Sequence, residues 1–180
     1  VAVTPVWPNL TAQPRILGAD LHCVPLTPDA AGAWRLDLAK LLAAITPDTR
    51  LLVVNSPNNP TGWTLSKEEQ QTILQRCRET GTWILADEVY RGAELDGRET
   101  RSFWGLSDRV LVACGMSKAY GLPGLRIGWV AGPAPMIAEL WERKDYLSIA
   151  PASPLGRKTI LPLFMSSNNF TTSSLTAKES

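Results

Sequence analysis

Three short stretches hold the side chains with chemical potential. One is Ser117-Lys118-Ala119-Tyr120-Gly121-Leu122-Pro123-Gly124-Leu125-Arg126, which follows the apolar run Val110-Leu111-Val112. A lysine just past a buried strand, with an arginine eight residues on, would be partly desolvated and close to a second cation. Both conditions favour the neutral, nucleophilic amine that a Schiff base requires. Arg126 offers a planar fork suited to a phosphate. A second stretch, Asp87-Glu88-Val89-Tyr90, ends the apolar run Trp83–Ala86. A carboxylate there stays charged only beside a cationic or protonated partner. The third, Asn55–Gly62, holds two prolines and a glycine that stiffen a turn and fix the angle of a polar side chain such as Asn59. Taken singly, each also suits a bland role: a solvated lysine, a carboxylate capping a loop, an ordinary strand-to-helix turn.

The elements that must position these groups follow from hydrophobic patterning. Strands are expected at Val1–Thr4, Asp20–Pro25, Arg50–Asn55, Trp83–Asp87, Arg109–Cys114 and Arg126–Ala131. Leu51 to Val54 run apolar without alternation, as a strand buried on both faces requires. Leu38, Leu41, Leu42 and Ile45 form one helical stripe that Pro47 stops. Ser66 and Glu69 make a capping box for a helix carrying Ile73, Leu74 and Cys77 inward, with Gly81 at its end. A last helix is expected from Pro133–Pro135 past Ile137, Leu140 and Trp141 towards Leu147. Strand–helix alternation of this kind predicts an α/β fold, a mostly parallel sheet with helices on both faces. Ligands on such sheets bind beyond the carboxyl ends of the strands, where all three stretches lie.

The chain has 180 residues, close to one domain at roughly 100–200 residues each. Eighteen basic and 17 acidic residues leave a net charge of +1, with no field to hold nucleic acid or an anionic membrane. The longest uncharged stretches are broken by glycine and proline, so no membrane span is expected. Cys23, Cys77 and Cys114 form no Cys-x-x-Cys pair, and with one histidine they offer no metal constellation. Three reduced thiols point to the cytoplasm. From Ser166, ten of the last fifteen residues are Ser, Thr or Asn, and a disordered tail is expected.

Taken together, the runs Asn58–Gly62, Ala86–Tyr90 and Ser117–Trp129 resemble, in order, the motifs of the class I/II aminotransferases. These are pyridoxal-phosphate enzymes of fold type I, and the resemblance covers about residues 1–160. It implies transfer of an amino group from an amino acid to a 2-oxo acid. It implies that Lys118 forms the Schiff base with pyridoxal 5′-phosphate and shuttles the substrate proton, and that Asp87 pairs with the protonated ring nitrogen. Tyr90 and Asn59 would bond the ring's 3-oxygen, and Arg126 would bind the phosphate. Where many relatives carry serine or threonine three residues before the lysine, this chain has Gly115. Ser117 could supply a hydroxyl instead, or make only a local backbone bond.

The family draws its phosphate loop and its stacking aromatic from residues that would precede Val1. Its small domain, with the arginine that grips the substrate carboxylate, would follow residue 160. The expectation is a partial cofactor domain over 1–160 and a divergent tail over 161–180, from a protein that is a homodimer at full length. Trp7, Trp63 and Trp104 are expected to serve packing or subunit contact. Two alternatives share these motifs: another fold-type-I reaction (β-lyase, cyclase or synthase), or a catalytically incomplete fragment.

Overall fold

Among the described residues, six strands form one sheet in the order β2-β1-β5-β6-β7-β8. They are β1 (Ala2–Thr4), β2 (Cys23–Pro25), β5 (Leu51–Asn55), β6 (Trp83–Asp87), β7 (Val110–Gly115) and β8 (Gly128–Ala131). The first five run parallel, and β8 returns antiparallel to β7. The computed structural model describes residues 1–144 and 146. The tail expected over 161–180, and Leu147 at the foreseen end of the last helix, lie outside the described residues.

All six expected strands are present, and all belong to this sheet. Leu52, Val54, Ile84, Ala86, Val110 and Val112 alternate onto one face and join a single core. Onto that face pack Leu41 of α2 (Leu38–Ala44), Ile45 at its end, and Ile73, Leu74 and Cys77 of α3 (Lys67–Thr80). Leu41, Ile45, Leu52 and Ile73 are fully buried, and each contributes about 1.5–3 kcal/mol over an exposed side chain. Arg76 ties the two helices together by donating from Nε to the carbonyls of Ile45 (2.9 Å) and Leu42 (3.2 Å).

The helix limits follow their signals. Ser66 Oγ accepts from the Glu69 N–H (3.1 Å) and Glu69 Oε2 accepts from the Ser66 N–H (2.8 Å), closing the capping box. Gly81 stops α3 in the left-handed conformation, φ 73°. Asp37 caps α2 by accepting from the Lys40 N–H. The last helix among the described residues, α4, runs Ala134–Lys144. Its Ile137 lies with Leu111, on the sheet face opposite α2 and α3, around Gly132: a Cβ there would sit 2.5 Å from Leu111 Cδ2 and 3.5 Å from Ile137 Cδ1.

Two features were not foreseen. Helix α1 (Asn9–Ile16) holds Pro14 internally, buries no residue and has no side-chain cap, so no apolar stripe announced it. A two-stranded antiparallel ribbon pairs β3 (Thr27–Pro28) with β4 (Trp34–Arg35). Among the described residues no helix is long and apolar enough to cross a membrane.

Candidate active site

Parallel strands β1, β5, β6 and β7 all deliver their carboxyl ends to one edge of the sheet, and β8 begins there. In register, Asn55 stands beside Asp87, and Asp87 beside Ala113. A cavity of about 410 Å³ opens at this edge, within the roughly 300–1,000 Å³ usual for small-molecule sites. Asn59, Asp87, Tyr90, Ser117, Lys118 and Arg126 all line it. Every residue singled out from the sequence therefore reaches one hollow, from loops up to 67 positions apart in the chain.

Asn55, only 1% exposed, is the hinge between two of the motifs. Its Nδ2 donates to the Asp87 carbonyl (3.0 Å) and its Oδ1 accepts from the Asn59 N–H (2.7 Å). Asn58, also buried, stiffens the turn: its Oδ1 accepts from Thr61 Oγ1 (2.7 Å) and the Thr61 N–H (3.1 Å). Its Nδ2 donates to the Pro5 carbonyl (3.2 Å), tying in the loop after β1. Gly62 closes this turn with φ 71°, which favours a residue without Cβ. Held this way, Asn59 donates from Nδ2 to the Tyr90 hydroxyl across 3.2 Å.

Asp87 and Glu88 part company at the end of β6. Glu88 points into the core, 3% exposed, and its Oε1 accepts from the Phe103 N–H (2.7 Å). Asp87 faces the cavity. Among the described residues its carboxylate has one partner, the Val89 N–H at 3.2 Å. Burial pushes its proton affinity above the ordinary carboxylate value, and that single hydrogen bond only partly opposes the shift. Burial raises Glu88 in the same sense.

Lys118 departs from expectation in its surroundings. It is exposed, with Nζ 5.7 Å from the centroid of the Tyr90 ring. The loop it opens stands at the rim of the sheet, and residues 120–124 are exposed with it. Arg126 lies at the far end of that loop. It caps the 3-10 turn Pro123–Leu125 in the left-handed conformation, and its Nη1 donates to the Pro123 carbonyl (2.9 Å). Ser117 also lines the cavity.

Asn55, Gly128 and Trp7 are among the wall residues to which sequence reading assigned no role in the site. Asn55 read as the last residue of a strand, although a buried amide at a strand end is ordinarily held by hydrogen bonds. Gly128 read as part of a strand. Trp7 was expected to pack or meet another subunit; Trp63 and Trp104 do pack on the core, but Trp7 is 52% exposed and lines the cavity. The Asn58–Pro5 bond brings its loop to the site, a link no local pattern carries.

Comparison with known proteins agrees with this geometry. The family model for aminotransferase class I and II matches residues 1–156. The chain is 33% identical over 164 residues to a probable N-succinyldiaminopimelate aminotransferase of Mycobacterium tuberculosis, covering 89% of this chain and 41% of that protein. The solved structure of the M. tuberculosis N-succinyldiaminopimelate aminotransferase superposes with a TM-score of 0.77 over 85% of this chain and 40% of the other. A PLP-dependent aminotransferase from Streptococcus suis, 31% identical, gives 0.75 over 83% and 39%. The capreomycidine synthase of Streptomyces vinaceus is 34% identical over 155 residues, 86% of this chain and 39% of that one. The chain thus spans about two fifths of the length of the relatives it matches. A match over residues 1–156, together with the ordered motifs meeting at one cavity, shows that this chain belongs to the class I and II aminotransferases.

Proposed function

We propose that this chain is the greater part of a cofactor domain, residues 1–160, whose cavity holds pyridoxal 5′-phosphate for transfer of an amino group from an amino acid to a 2-oxo acid. One observation carries the reading: an amine, a carboxylate, an amide–phenol pair and a guanidinium, from three separate motifs, line the same hollow. When bound, the cofactor supplies an electrophilic carbon and a ring that accepts an electron pair.

The residues present fit that group. Asp87 is a half-buried carboxylate with raised proton affinity and a single backbone partner, so it matches a ring nitrogen that arrives with its own proton. Held there, it keeps that nitrogen protonated. Tyr90 accepts from Asn59, which leaves the hydroxyl's own proton free to donate into the cavity. Tyr90 Oη and the second Asn59 Nδ2 proton therefore serve an oxygen on the ring. Arg126, with Ser117 beside Lys118, takes the phosphate as a planar fork. Trp7 gives the cavity an aromatic wall.

Lys118 Nζ carries the chemistry. It would anchor the cofactor, and as a free amine it would take the proton from the substrate Cα, hold it on Nζ and hand it back to the reacting group. The Lys118 side chain lies over the Tyr90 ring, whose negative face favours the protonated amine after that transfer. The three free thiols suit a reducing cytoplasm, and we assign the full-length protein a homodimeric state as in the resemblance above.

Titrating the chain with pyridoxal phosphate tests the reading. A saturable absorbance change that disappears in Lys118→Ala supports it, and no change at millimolar cofactor contradicts it. Similarity to capreomycidine synthase keeps a second reaction type in view. Release of a 2-oxo acid without ammonia, from amino donor alone, favours amino transfer; ammonia or a cyclised product favours the other.

A further inference from the structure

Arg126 is the one non-glycine residue with positive φ among the described residues, at φ 52° and ψ 37°. Side-chain-bearing residues enter this basin at a cost, and such positions persist only where the surroundings hold them. The surroundings here are specific. Before Arg126, the Pro123 carbonyl accepts from its N–H (3.4 Å) and its Nη1 (2.9 Å). After it, the Ile127 carbonyl accepts from the Met116 N–H (3.0 Å), and Gly128 then faces Gly115 across the β7–β8 ladder.

That pair of glycines lets two backbones approach closely. A Cβ on Gly128 would lie 3.0 Å from the Cys114 carbonyl oxygen, and one on Gly115 would lie 3.2 Å from the Ile127 carbonyl oxygen. Both obstacles are backbone, so no flexible side chain can give way. Lys118 follows Gly115 by three residues and Arg126 precedes Gly128 by two. The close approach therefore lies between the two loop ends that carry the amine and the guanidinium.

We propose that Gly128 is a positioning residue for Arg126: its missing Cβ seats the start of β8 under the Cys114 carbonyl and so holds Arg126 left-handed, with its guanidinium in the cavity. The inference rests on the reading above that Arg126 takes the phosphate. A Cβ at 128 lifts the start of β8, and the adjustment falls on Arg126, whose backbone gains by leaving the left-handed basin. The guanidinium then turns out of the site.

The test compares the chain with Gly128→Ala, Arg126→Gln and the double variant, each titrated with pyridoxal phosphate and with pyridoxal, which lacks the phosphate. Gly128→Ala should weaken pyridoxal phosphate about 10-fold or more, the worth of a charge-assisted hydrogen bond, while pyridoxal binding stays unchanged. The double variant should bind no more weakly than Arg126→Gln, because the glycine acts through the arginine. Equal losses for both ligands, or additive losses in the double variant, would overturn the inference. Should Gly128→Ala not fold, Gly115→Ala, with its looser contact, should show a smaller loss confined to pyridoxal phosphate; a loss shared by pyridoxal overturns the proposal equally. A wild-type chain that binds neither ligand instead refutes the cofactor reading itself.

Discussion

The amide of Asn59 donates to the hydroxyl of Tyr90 across 3.2 Å, joining the loop after β5 to the loop after β6 at the cavity wall. Asn55 ties the same two loops a second time, through the Asp87 carbonyl and the Asn59 N–H. The site is thus braced by side-chain amides instead of being left to two independent loops. Such bracing reduces the ordering cost of binding.

Removing the hydroxyl should loosen that brace. Tyr90→Phe leaves the Asn59 amide without its acceptor, a loss of about 0.5–1.5 kcal/mol. Thermal melts should fall by about 2–4 °C, and pyridoxal phosphate affinity should drop several-fold in the same variant by absorbance titration. An unchanged melt and affinity would show that the bond carries no weight.

Asp87 should make the ligand-free chain pH-sensitive in a defined direction. Its proton affinity is raised on folding, from an ordinary value of 3.8, by burial. A raised acid binds more protons folded than unfolded, so its contribution is fully present below that value and is lost as pH rises through the folded one. Asp87→Asn should therefore melt higher than wild type at pH 7, and the two should converge near pH 3. Adding pyridoxal phosphate should reverse the order at pH 7, because only the carboxylate can hold the ring's proton.

The capping box gives a control remote from the site. Ser66→Ala removes the acceptor for the Glu69 N–H and should cost about 1 kcal/mol of stability. Denaturant melts should register that loss, while cofactor affinity stays constant.

Burial raises the Cys77 and Cys114 thiols to about 12, so almost none of either exists as the reactive thiolate at pH 8. Native chain treated with iodoacetamide should carry label at half-exposed Cys23 well before the other two, read by mass spectrometry. Early label at Cys114, which is partly exposed like Cys23, would mean that its surroundings do not hold the thiol protonated.

Much of this was legible in the sequence because buried parallel strands are written as apolar runs. Leu51–Val54 and Trp83–Ala86 could hardly be anything else, and their carboxyl ends named the edge at which to look. Ser66 with Glu69 fixed the start of α3 to the residue. Other parts left no local trace. Helix α1 buries nothing and holds a proline, so neither stripe nor cap marks it. Trp7 reaches the cavity because β1 lies beside β5 and Asn58 bonds the Pro5 carbonyl, both long-range facts. Lys118 was expected half-desolvated, yet it stands exposed because its loop runs along the rim. Whether Gly128 is needed for closeness or merely tolerated could be seen only from the Cys114 carbonyl opposite.

The central claim is that one amine captures the cofactor's aldehyde, and borohydride reduction of the chain with pyridoxal phosphate, followed by peptide mapping, addresses it most directly. The account predicts a single stable adduct on Lys118, absent from Lys118→Ala. Adduct on Lys40, Lys67 or any other lysine in place of Lys118 would contradict it.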